Sequence, residues 1–306
     1  MVLFALLLKI AMTATIVVTA SVVVERSGPF VGSLIASLPT AGGAAMIILA
    51  LEHSPQFIAQ SAVGSLIANT ACALFALSYA GLAQKRSLRL SLGGAFMVWL
   101  VTVFLLRLVD WSAAGAVILN AAIYPVAIFA ARRFRVTGAI KRVELTGADL
   151  AWRAGVVTFC VIVVTAASSS IGSYFSGVFA FFPVAMGSFF IILQPRIGGP
   201  AAASVAAHVL TPLIGLGLGL LAVHLLAEPL GVWWAYAAGL SIGLAWNALL
   251  WLVRRWRAPS PQGADNSRHA RHKAGHDELR GNAFHKREGV PYPTNPSSSA
   301  LICSAR

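Results

Sequence analysis

Side chains able to move a proton or hold an ion are scarce in the long apolar runs of this sequence, and two histidines stand out. His208 and His224 lie sixteen residues apart in one run, about 24 Å along a helix, too far to share a ligand. His208, followed by Thr211 and Pro212, is the sharper candidate, because an imidazole beside a kink can relay protons or bind an anion. The alternative is a neutral ring bonded to a nearby carbonyl. Asn69 with Thr70, Asn120 with Tyr124, and Asn247 add uncharged polar groups, which in membranes mostly make interhelical hydrogen bonds of about 0.6 kcal/mol each. Ser168, Ser169 and Ser170 either line a cavity or let helices approach closely. Glu25, Glu52, Asp110 and Glu228 fall at the ends of apolar runs. Without an embedded carboxylate pair, a zinc motif, a phosphate loop or a Ser-His-Asp set, enzymatic chemistry is not expected, nor is a metal or cofactor.

A second kind of chemistry-bearing feature is a repeated helix breaker. Sliding the chain by 144 residues lays 28–49 over 172–193 without a gap. Eight of these 22 positions are identical: Gly28/Gly172, Ala36/Ala180, Pro39/Pro183, Ala41/Ala185, Gly43/Gly187, Ile47/Ile191, Ile48/Ile192 and Leu49/Leu193. Proline removes a backbone hydrogen bond and clashes with the preceding turn. In hydrocarbon the freed carbonyls must be buried in protein or line a hydrated cavity. Paired breaks in two halves of a chain point to a midplane binding site. The candidate binding residues are therefore Pro39, Thr40, Gly43, Pro183 and Gly187, with His208 and Asn69 beside them. The two broken spans are expected to cross near Pro39 and Pro183.

The elements that must position these residues follow from composition. Of 306 residues, 58% are apolar and 11% charged, with a mean hydropathy of +0.79. A soluble domain carries about 25% charged residues, so the bilayer is the relevant solvent. Nine stretches reach the roughly 20 apolar residues that cross a bilayer: 4–24, 29–51, 57–83, 89–108, 113–131, 151–171, 173–194, 201–227 and 232–253. The first lacks a basic leader and an A-x-A cleavage site, and is expected to be retained as a span. With nine spans, thirteen Lys and Arg residues, Arg153 among them, fall on one side and only Lys9 and Arg107 on the other. That bias predicts an outside N-terminus and a cytoplasmic C-terminus.

The net charge of +13 then reflects positive-inside topology and not nucleic-acid binding, and suits anionic inner-leaflet lipids. Cys72, Cys160 and Cys303 form no disulfide or metal spacing. The polar tail, including His269, His272, His276 and His285, is expected to be a disordered, solvated basic segment.

The segment Ser33-Leu-Ile-Ala-Ser-Leu-Pro-Thr40, continuing to Glu52, resembles the second span of the GlpM-like small bacterial inner-membrane proteins through Leu34, Ile35, Pro39, Thr40 and Glu52. In the second half Pro183 matches, whereas Val184 replaces the threonine. The resemblance implies a four-span unit, the size of one repeat here, and a link to exopolysaccharide (alginate) production without known catalytic residues.

The expected architecture is an all-α membrane protein of about nine transmembrane helices. A first repeat of four spans (1–109) and an inverted second repeat (151–256) flank a connecting fifth span with a basic loop (110–150), and a tail follows (257–306). The expected function is a permease or transporter, with a non-catalytic envelope accessory protein as the alternative. Membrane lipids and a small-molecule substrate are the expected partners, and a second copy of the chain is compatible with the composition.

Overall fold

The computed structural model describes residues 40–135 and 146–257, together with Ala11, Thr15 and Thr19; the side chains of Thr40, Ala41 and Arg257 are not described. The expected first span apart from Ala11, Thr15 and Thr19, the first half of the second with Pro39, part of the basic loop and the tail lie outside the described residues. The chain divides into two units, 1–252 and 253–306. Of the second, only the end of the last helix is described.

Among the described residues the structure is helical throughout, with no strand. Eight helices follow in order: α1 (Thr40–Glu52), α2 (Pro55–Ala83), α3 (Leu88–Leu106), α4 (Ala113–Ala131), α5 (Gly147–Ala180), α6 (Val184–Ile197), α7 (Gly199–Leu226) and α8 (Val232–Arg257). Six helical stretches are long and apolar enough to cross a membrane by length and composition: Pro55–Ala83, Leu88–Leu106, Ala113–Phe134, Gly147–Ile197, Gly199–Leu226 and Val232–Trp256. The chain is thus a multi-pass helical membrane protein.

Local sequence sets the helix starts. Ser54 caps α2 by accepting from the Phe57 N–H, with Pro55 in the first turn where its missing N–H costs nothing. Ser112 caps α4 through the Gly115 N–H at 3.1 Å. Thr146 and Asp149 form a capping box on α5, and Asp149 also pairs with Arg196 at the end of α6. The boundary expected at Gly172 is a kink inside α5, where Gly172 has φ 77 and ψ 173, a conformation open to glycine because it lacks a Cβ. The stretch expected as one span over 173–194 is two helical pieces, separated at Phe181–Pro183.

Helix α2 is the centre of the bundle. Twenty of its 29 residues are buried, many of them Ala, Ser or Gly, and it packs on α3, α4, α5 and α7. Its longest contact is antiparallel, with α7. His224 Nδ1 donates to the Ala59 carbonyl at 2.8 Å and Asn69 Nδ2 to the Leu213 carbonyl at 3.2 Å, so α7 numbers fall as α2 numbers rise. The longest crossing therefore belongs to α2 and α7; α1 packs on α5 and reaches the second break, where a Cβ on Gly42 would lie 2.7 Å from the Phe181 ring, and touches α6 itself only marginally.

Against the second piece of α5, α2 comes so close that backbones meet. A Cβ on Gly64 would overlap the Tyr174 carbonyl, and one on Gly177 the Ser61 carbonyl. Ser61 and Ser65 hydroxyls donate to the Ser173 and Gly177 carbonyls at 2.9 and 3.1 Å. Small residues are what allow such approach where no hydrophobic effect drives helices together. Outward, α3, α4 and α8 present large apolar side chains such as Phe104, Phe129 and Trp234.

Helix starts also recur at a fixed interval. Pro55 and Gly199, and Leu88 and Val232, are each 144 residues apart. The Asn69–Leu213 bond likewise joins positions separated by 144.

Gly177→Ala should destabilise the bundle by about 1–3 kcal/mol, because the added methyl meets backbone and not a movable side chain. Gly93→Ala, with open space around it, should be neutral or stabilising by up to about 1 kcal/mol. Thermal unfolding of the two variants in detergent, followed by far-UV circular dichroism, separates these outcomes.

Candidate functional site

The second helix break can be followed atom by atom. Pro183 caps α6 with φ −74 and ψ 40, while Phe181 sits at φ −101 and ψ 22. The Phe179 carbonyl, which would have bonded residue 183 in an unbroken helix, receives the Phe182 N–H at 3.0 Å. Cys72 Sγ on α2 donates to the Phe181 carbonyl at 3.3 Å. The Phe182 ring stacks on Phe96 and meets Trp99 edge-on, both on α3. The break is therefore buried in protein, one of the two environments that make it tolerable in hydrocarbon.

The candidate residues gather unevenly around it. Thr40 is the first described residue of α1, and Val184 opens α6. Gly43 lines a cavity of about 150 Å³ together with Phe181, Pro212, Gly219, Tyr236, Leu240, Gly243 and Asn247. Gly187 faces α3, where a Cβ would meet the Phe96 ring at 2.7 Å. Asn69, one turn from Cys72, donates to Asn120 Oδ1 at 3.1 Å as well as to Leu213. Asn120 Nδ2 in turn donates to the Leu66 carbonyl at 2.9 Å, and the Tyr124 hydroxyl to the Asn69 carbonyl at 3.1 Å. Asn69 Oδ1 and Thr70 Oγ1 are buried without a hydrogen-bond partner, a costly arrangement that a water or a polar ligand group would relieve.

His208 does not line the cavity. Its Nδ1 donates to the Ser204 carbonyl at 2.7 Å within its own helix, the carbonyl contact of the alternative. Pro212, one turn on, deprives the His208 carbonyl of its helical donor. Nearby, Arg135 Nη2 donates to the Ala207 carbonyl at 3.3 Å, and partial burial followed by the Arg132 charge holds its pKa below the usual arginine range. Ser168 is buried and bonds His53 Nε2 at 2.8 Å, while Ser169 and Ser170 are exposed.

The cavity has an instructive counterpart. Positions 144 residues away from Gly219, Val223, Leu240 and Gly243 are Phe75, Tyr79, Phe96 and Trp99, and the one 144 beyond Met46 is Phe190. Tyr79 stacks on Phe190, Phe75 meets Phe96 edge-on, and Trp99, Tyr79, Phe75 and Phe190 are fully buried. Rings fill these positions, whereas glycines and aliphatics line most of the cavity.

The open side depends on α7 and α8 crossing closely. Gly215-x-x-x-Gly219 and Gly239-x-x-x-Gly243 face each other; a Cβ on Gly219 would lie 2.6 Å from the Gly239 carbonyl. These spaced glycine pairs were legible as a helix-packing signal, yet sequence reasoning from ionisable residues passed over them, along with Tyr236, whose hydroxyl donates to the Met46 carbonyl at 2.7 Å. The lining is almost wholly apolar. Among the described residues no group of His, Cys, Asp and Glu could hold a metal ion. No family model, curated protein or solved structure matches this chain.

Gly243→Leu should fill part of the cavity, since nothing but the Gly215 carbonyl at 3.9 Å stands near its added Cβ. The expected gain is about 1–2 kcal/mol, read as a raised Tm in detergent. Gly219→Leu, which would strike backbone, should lower it.

Proposed function

We propose that this chain is a permease-like membrane protein built from two inverted four-span repeats, with a small-molecule site beside paired helix breaks after Pro39 and Pro183. The observation that carries the reading is the common interval of 144 residues between the starts of α2 and α7 and of α3 and α8. The Asn69–Leu213 contact supports it further: a residue touching its own counterpart is what a two-fold axis through the α2–α7 crossing would require. An odd number of spans per interval inverts the second copy, the arrangement of many secondary transporters.

On this reading the chain has nine spans, with an outside N-terminus and its basic loop and tail in the cytoplasm of a bacterial inner membrane. The cavity beside Gly43 and Phe181 is the substrate site, and the difference between its glycine-lined and aromatic-filled versions makes it one-sided. The small volume and apolar lining favour a small or amphiphilic solute. The same dryness favours, as a second reading, a non-transporting accessory protein of envelope exopolysaccharide production, in line with the GlpM-like resemblance.

Uptake into proteoliposomes containing the full chain, tested across a panel of small amphiphilic and polar solutes, separates the two. Transport predicts flux of at least one solute, reduced about tenfold or more by Gly243→Leu at equal folded protein. Absence of flux across the panel would favour the accessory reading. Impermeant thiol labelling of intact cells should leave single cysteines in the 132–149 loop and the tail unmodified; labelling of the tail would overturn the orientation.

A further inference from the structure

Arg153 stands apart from the other basic residues. The charge count places it with the loop cations, yet it lies two turns inside α5 and is only 5% exposed. Its guanidinium carbon sits 5.3 Å above the Phe189 ring of α6. Nε and Nη1 are buried with no hydrogen-bond partner, and among the described residues no carboxylate pairs with it. The acid one turn earlier, Asp149, is already engaged by Arg196 and by the Thr146 N–H and hydroxyl. A cation inside a membrane bundle is costly, and such residues normally find a counter-ion. The aromatic face supplies part of that compensation, and the two bare donors call for an acceptor.

Beside it runs a groove of about 440 Å³, lined almost entirely by apolar atoms. Val156, Cys160, Val164 and Ile171 of α5 form one wall, and Phe182 and Val184 approach from the break that opens α6. Arg153 continues the same face of α5, one turn before Val156, about 4.5 Å along the axis. Phe189, under the guanidinium, follows the groove residue Val184 by five positions on α6. On the α5 side the groove stops at Val156, one turn short of Arg153. The groove's open side is marked by Phe159 and Val163, which are 70% and 49% exposed, so it faces the surroundings of the bundle and not its centre.

We propose that Arg153 and this groove form a binding site for one anionic phospholipid, whose phosphate takes the free guanidinium donors and whose acyl chain lies along α5. A charge one turn beyond an apolar trough complements an amphiphilic anion and neither a neutral lipid nor a fully polar solute. The site rests on the membrane character of the chain and not on the transport reading.

Native mass spectrometry of the full chain, with dioleoylphosphatidylglycerol or dioleoylphosphatidylcholine added, tests it. The wild-type chain should retain one phosphatidylglycerol with about fivefold or greater preference over phosphatidylcholine. Arg153→Gln should abolish the preference, Arg153→Lys should keep part of it, and Val163→Trp should weaken retention by obstructing the groove with the arginine intact. Equal retention of the two lipids by the wild-type chain, or an unchanged preference in Arg153→Gln, would overturn the proposal. So would displacement of phosphatidylglycerol by excess inorganic phosphate, which would mark a free-anion site. Cys160 gives a readout without touching Arg153: its modification by N-ethylmaleimide, located by peptide mass, should slow several-fold with phosphatidylglycerol and not with phosphatidylcholine. A lack of protection would count against the site, as would a photo-cross-linker at position 163 that captures residues 1–39 of the same chain instead of lipid.

Discussion

The rest of the described bundle depends on how α2 can be buried in a solvent that offers its backbone nothing. Lipid provides neither hydrogen bonds nor a hydrophobic drive between helices, so close backbone approach must supply the attraction. Ala, Ser and Gly along α2 permit that approach to α5 and α7. Serine hydroxyls then convert contact into hydrogen bonds with carbonyls across the interface. At the α2–α7 crossing, Asn69 joins α2, α4 and α7 through Asn120 and Leu213. Peripheral helices are ordered by this core and turn their large apolar side chains outward.

The same constraint explains why the helix break at Pro183 is tolerated. Its carbonyls are met by a tight turn and by the Cys72 thiol, and aromatic rings close around it. Aromatic volume also distinguishes the two flanks of the centre. Phe75, Tyr79, Phe96, Trp99 and Phe190 pack one flank, while Gly219, Gly239 and Gly243 bring α7 and α8 together and leave space on the other. A glycine pair that draws helices together can leave a void beside the contact, because the missing side chains fill nothing.

Charge placement follows a different logic from the one counted along the chain. Positive-inside arithmetic treats every Lys or Arg near a span end as solvated. Arg135 instead donates to the Ala207 carbonyl of α7, and Arg153 is enclosed between α5 and α6. The Asp149–Arg196 pair ties the ends of those helices. Cations at the rim of this bundle thus act as fasteners as well as topology markers.

The membrane class, the helical nature and most helix limits were legible in the sequence, since apolar length and Ser, Thr and Pro caps are local properties. The start expected at 57 lies at Pro55, that at 89 at Leu88, and that at 113 at Ala113. The break at Pro183 was legible too, for a proline's missing donor needs no tertiary context, as was the 144-residue interval that the helix starts share. Which helices meet was not legible. Crossing depends on which faces carry small residues relative to every other helix, so the long α2–α7 contact could not be read from either helix alone. His208 was selected for its type, and only its surroundings show the ring bonded within its own helix. The cavity beside Gly43 and the burial of Arg153 are likewise products of packing, because an empty volume and an unpaired donor exist only between elements brought together from distant parts of the chain.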